Sequence, residues 1–170
     1  MENLVGQYNG KGIYFFSGEI HQLYSDIELL RPYFVCVVFL HTKNWAEEEL
    51  RKLIDRLMSH GAAYFVFHGN RCERAHDIAD ETHARIIPES EVTYDNVIGT
   101  DWFEDFSADE VIFSAFCGSV PADEYLDQFS SFVVISIGND TENALIRGLL
   151  TNVQSTIDMA ISRPKTSSSH

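Results

Sequence analysis

The run YFVCVVFLH, Tyr33 to His41, is apolar without alternation. A strand with one face in water alternates apolar and polar residues, whereas a strand covered on both faces reads as a continuous apolar run. This stretch therefore predicts a central strand with helices over both sides. Two further runs carry the same signature: AAYFVFH, Ala62 to His68, and FVVISIG, Phe132 to Gly138. Between the first two, EEELRKLIDRLMSH places Leu50, Leu53, Ile54, Leu57 and Met58 on one helical face. Asn44-Trp45-Ala46-Glu47 reads as the N-cap of that helix with its capping-box partner, and Gly61 as its stop.

Working outward, GIYFF and EIHQLY flank Ser17-Gly18 as either a hairpin or a strand followed by a turn. A helix is expected from Arg71 to Thr82, then a short strand ARII, Ala84 to Ile87, closed by Pro88. SEVTYDNVIGTDWFEDF shows neither period and leaves room for one edge strand near Val92. Ser107-Ala108-Asp109-Glu110 is a capping box opening a helix that Gly118 ends. Pro121 starts a short helix through Phe129, and the final helix runs from Asp140 to Ile161. Strands separated by amphipathic helices and joined by short turns imply right-handed crossovers. The fold class is α/β, a three-layer α/β/α sandwich with a mostly parallel central sheet. Its topology is Rossmann-like, without the G-x-G-x-x-G dinucleotide fingerprint and without a P-loop, so no cofactor is implied. One domain is expected over 1–163, followed by a polar tail, 164–170.

Twelve phenylalanines and seven tyrosines within a 45% apolar composition mark a folding chain and exclude disorder over most of its length. The formal net charge is -14. No Lys or Arg occurs between Arg85 and Arg147, while thirteen acids do. Such a field repels phosphate backbones and anionic membranes, so neither nucleic acid nor membrane is an expected partner. A basic protein partner fits, and so does an acidic surface kept for solubility. A homodimer is compatible with everything in the sequence. Cys36, Cys72 and Cys117 are odd in number and show no C-x-x-C spacing, which points to a reducing compartment. The first ten residues, MENLVGQYNG, lack signal-peptide character, and a cytoplasmic location is expected.

Ligands of open parallel sheets sit outside the carboxyl ends of the strands. Three strong strands end here in His41-Thr42-Lys43-Asn44, His68-Gly69-Asn70-Arg71 and Gly138-Asn139-Asp140-Thr141. Candidate catalytic groups are therefore His41, His68, Asn70, Cys72 and Asp140. Lys43, Arg71 and Asn139 are the candidate ligand-binding groups, the two cations suiting an anion or carboxylate. Every strand-to-helix loop also needs polar caps for structural reasons, so these residues have a purely architectural reading too. Cys72 near a helix start, beside Arg71 and Arg74, could carry a lowered thiol pKa with His68 or His76 as base. Cys72 and His76 also stand about 40° and about 6 Å apart on a helix, feasible for metal ligation, while His83 lies about 10 Å further on. No zinc spacing accompanies them, and no metal is expected.

A different clue lies in DWFEDF, Asp101 to Phe106, where large rings interleave with acids. Buried rings supply hot spots while rim charge steers encounter. Asp101, Trp102, Phe103, Glu104 and Asp105 are the candidate interaction residues. The alternative is that the rings simply tuck a loop onto the sheet. Two functions follow: noncatalytic binding of a basic protein, or a small-molecule-binding or hydrolytic site at the strand ends. A deep pocket at the strand ends would favour the second, and an exposed Trp102 the first.

Overall fold

The computed structural model describes residues 3–24 and 33–163, so the expected tail, 164–170, lies outside the described residues. Six strands, β1 (Leu4–Tyr8), β2 (Lys11–Ser17), β3 (Phe34–Leu40), β4 (Ala62–Gly69), β5 (Gly99–Phe103) and β6 (Ser131–Ile137), form one sheet. Their order is β1-β2-β6-β3-β4-β5, and only β1 runs antiparallel to its neighbour. Helices α1 (Glu47–Ser59), α2 (Cys72–Ile86) and α4 (Asp123–Leu126) cover one face, and α3 (Ala108–Gly118), α5 (Asp140–Thr151) and α6 (Val153–Ser162) the other. The molecule is a three-layer α/β/α sandwich.

The continuous run reads as predicted. All seven residues of β3 are buried, as are all seven of β6. Phe34, Cys36, Val38 and Leu40 face α1 and α2, while Val35, Val37 and Phe39 face α3 and α5. Each fully buried side chain of this kind contributes about 1.5–3 kcal/mol relative to an exposed one, so the central strands anchor both layers.

Several elements differ from expectation. The hairpin joins β1 to β2 through Asn9-Gly10, both at positive φ, whereas Ser17-Gly18 merely ends β2. Helix α1 starts at Glu47 with Ala46 at its N-cap, so Asn44 does not cap it. Trp45 is buried and its indole donates to the Asn70 carbonyl at 2.8 Å, which docks the loop first and delays the helix. Three glutamates in the first turn meet the helix dipole instead of a side-chain cap. ARII is not a strand: α2 runs on to Ile86, because Thr82 and His83 are buried beneath it while Ile86 is 48% exposed. The edge strand is Gly99–Phe103, and a 3₁₀ turn, Glu89–Glu91, precedes Val92. The short helix spans only Asp123–Leu126, with Pro121 ahead of it. The final helix is interrupted at Asn152, whose carbonyl accepts from Thr156 N and restarts the chain as α6.

From β3 the chain leaves to α1 on one face, and from the neighbouring β6 it leaves to α5 on the other. Connections that diverge from adjacent parallel strands open a crevice at their carboxyl ends. At that end His41 and Gly138 pack closely, and the His41 amide donates to the Ile137 carbonyl at 2.9 Å.

Candidate functional site

One rung of the sheet runs Ser17, Ser136, Phe39, His68, Phe103 across β2, β6, β3, β4 and β5. Residues in one parallel register share a face, and Phe39 fixes it as the α3/α5/α6 side. His41 lies two residues on and takes the same side. Its ring stacks on Phe39 with centroids 6.0 Å apart, while His68 meets Phe39 edge-on at 5.6 Å. The structure thus brings His41 and His68 against one buried ring. His68 Nδ1 donates to the Phe103 carbonyl at 2.7 Å, which leaves the lone pair of the neutral ring on Nε2. Burial pushes the His41 pKa down, against the Glu142 charge and with the help of His68. His41 Nε2, Ser136 Oγ and Asn143 Oδ1 are buried and have no hydrogen-bond partner among the described residues. Gly138 permits the close approach here, since a Cβ would lie 2.5 Å from Glu142 Oε2 and 2.8 Å from His41 Cβ.

The other strand-end candidates are tied into the architecture. Asn70 Nδ2 donates to the carbonyls of Leu40, at 3.3 Å, and His41, at 2.6 Å, stitching β4 to β3. Gly69, at φ 98°, must be glycine there, because a Cβ would lie 2.5 Å from the Leu40 carbonyl oxygen. Arg71 stacks on Trp45 at 4.3 Å and pairs with Glu47, which Arg74 also holds. Asn139 is the N-cap of α5 and accepts from Thr141 N and Glu142 N, both at 3.0 Å. Asp140 and Lys43 are exposed at the rim.

Cys72 is buried, and desolvation, followed by the Glu104 charge, pushes its thiol up. A thiolate is therefore not favoured, and Arg71 and Arg74 pair with Glu47 instead. His76 packs on Trp102 with ring centroids 4.3 Å apart and lies 3.6 Å from Asp80. Among the described residues no group of three or more His, Cys, Asp or Glu side chains is placed to hold a metal ion.

The second cluster lies on β5, the last strand in the order, which has no further strand beside it among the described residues. Trp102 is 41% exposed and Phe106 is 43% exposed. Phe103 is half-buried and stacks on Phe106 at 4.6 Å, so these rings lie partly on the sheet and partly in solvent. Glu104 and Asp105 are exposed. Asp101 is half-buried and accepts a hydrogen bond from Tyr64 OH at 2.8 Å. Burial, then that bond, pushes the Tyr64 hydroxyl up to about 12. Tyr64 can reach Asp101 because its register partner is Gly99, over which the ring lies and where a Cβ would overlap it. Asp101 and Phe103 also line a cleft of about 330 Å³ whose far wall is α3.

Reading the sequence alone missed Tyr64, Ser136, Asn143, Phe113 and Ser114. Ser136 breaks the apolar run FVVISIG, and that single polar residue within a buried strand was the available signal. The cleft residues of α3 carry no such mark, because their placement depends on where β5 lies.

Residues 16–153 match the family described as a domain of unknown function, DUF7684, and the chain belongs to it. No curated protein matches the chain.

Proposed function

We propose, for this member of DUF7684, a noncatalytic binding function: capture of an extended basic segment of a partner protein along the free side of β5. The observation that carries this reading is the half-exposed Trp102 set among Asp101, Glu104 and Asp105, within a stretch that holds no Lys or Arg between residues 85 and 147. An edge strand presents alternate N–H and C=O groups outward, which is the template for strand addition. Aromatic surface then supplies affinity and the acids supply orientation and on-rate. Short length and charge also protect an edge from indiscriminate pairing, and the charge favours a segment of opposite sign.

A second reading, a small-molecule or hydrolytic site at the ends of β3 and β6, is favoured by the unpartnered His41 Nε2, Ser136 Oγ and Asn143 Oδ1. It ranks second because Asn70, Arg71 and Asn139 around those strand ends are already occupied in holding the loops.

The test is binding of a synthetic peptide of alternating arginine and valine, with an alternating glutamate and valine peptide as control, by fluorescence anisotropy. The basic peptide should bind and the acidic one should not. The variant Glu104→Lys, Asp105→Lys, both at exposed positions, should lose about tenfold or more in affinity while keeping its melting temperature. Equal affinity of the variant, or no binding by the wild type, removes the proposal.

A further inference from the structure

Resting on that reading, we propose that the cleft between β5 and α3 is a specificity pocket for one arginine side chain of the bound segment. Successive residues of β5 point to opposite faces, so Asp101 and Phe103 face the α3 side and Trp102 the α2 side, against His76. A segment laid along β5 obeys the same pleat and sends alternate side chains to the same two faces. The side chain on the α3 side enters the cleft, and its neighbours along the segment pass over Trp102.

The cleft chemistry selects that side chain. Its volume, about 330 Å³, accommodates a long side chain, and it is lined by Asp101, Phe103, Phe113, Ser114, Cys117 and Ser119. The one charge in this lining is a carboxylate. Tyr64 donates to Asp101 Oδ2 and holds the group in place, and a carboxylate with two oxygens accepts further bonds beyond that one. Phe103 and Phe113 offer ring surface on which a planar guanidinium stacks, and the two serine hydroxyls can take remaining N–H donors. A lysine ammonium is more strongly hydrated, cannot stack and loses more on entering such a cleft. The nearest cations in sequence, Arg85 and Arg147, lie outside the lining, and Arg163 is paired with Asp109 at 2.8 Å. Among the described residues no guanidinium lines the cleft.

The experiment is a double-mutant cycle between protein and peptide. The probe is an extended peptide whose single charged side chain is an arginine, compared with versions carrying citrulline or lysine at that position, against wild type and Asp101→Asn. Asparagine keeps an acceptor for Tyr64, so the fold is preserved while the charge is lost. Wild type should prefer arginine over citrulline by roughly tenfold and over lysine by a smaller factor, and Asp101→Asn should abolish the preference by weakening the arginine peptide alone. If Asp101→Asn weakens all three peptides equally, or the arginine preference survives it, the pocket is wrong while strand capture at β5 stands. Lysine binding as tightly as arginine overturns the choice of guanidinium. If no peptide of any kind binds, and the basic alternating peptide fails too, both the pocket and the capture reading fall.

Discussion

Gly99 shows how one residue governs the site. Its missing side chain is the floor on which the Tyr64 ring lies, and that ring spans two residues of β5 to reach Asp101. Gly99→Ala forces the ring away, an overpacking change that should cost about 1–3 kcal/mol. Urea unfolding measures that cost, and a change within about 0.5 kcal/mol of zero would mean that Tyr64 repacks without strain. Nothing in IGTDWF announces this, because glycine within a strand is unfavourable by propensity and finds its reason only in the neighbouring strand. The strand-end loops pose the opposite difficulty. Asn70 and Asn139 were legible as polar groups at the right edge, yet the same residue types serve as ligand contacts and as caps, and only the bonds to Leu40, His41, Thr141 and Glu142 separate the two.

Elements were legible where burial on both faces wrote a continuous pattern, as in β3, β4 and β6, or where an amphipathic face wrote a period, as in α1. They were not legible where tertiary docking decided the outcome. The Trp45 indole fixes the loop before α1, and burial of Thr82 and His83 carries α2 through residues whose local preference is extended. Strand β5 lies at the margin of the sheet with a single strand neighbour, and none of its five residues is fully buried, so its pattern is weak. Helix α5 is the element on which cap and candidate ligand can be separated. Asn139→Ala removes the acceptor for two first-turn amides and should destabilise the fold by about 0.5–2 kcal/mol. Thermal or urea unfolding reads this directly, and a neutral result would show that Asn139 is not needed as a cap.

At the scale of the whole molecule, the net charge of -14 couples stability to pH through groups of opposite behaviour. Acidification relieves the self-repulsion of the acids, which favours the folded chain. Against this, His41 and His83 are held neutral by burial, which lowers both pKa values in the folded state. Below the ordinary histidine value of about 6.5, the unfolded chain binds protons that the folded chain refuses, so stability falls as pH drops. Glu47, held chiefly by Arg74, Glu81, also held chiefly by Arg74, and Glu110, held chiefly by the Ser107 amide, have lowered values. Their contribution is lost only further down, below the ordinary glutamate value of about 4.3. The two ranges are therefore separable. In thermal unfolding between about pH 7.5 and about pH 5.5, where the glutamates stay ionised in both states, the melting temperature of wild type should fall relative to that of His41→Gln, His83→Gln. The double variant can differ in absolute stability without affecting this comparison, because only the slope reports the linkage. Parallel curves across that window would mean that both imidazoles reach water in the folded protein, and the polar cluster around Phe39 would then be open to solvent rather than sealed.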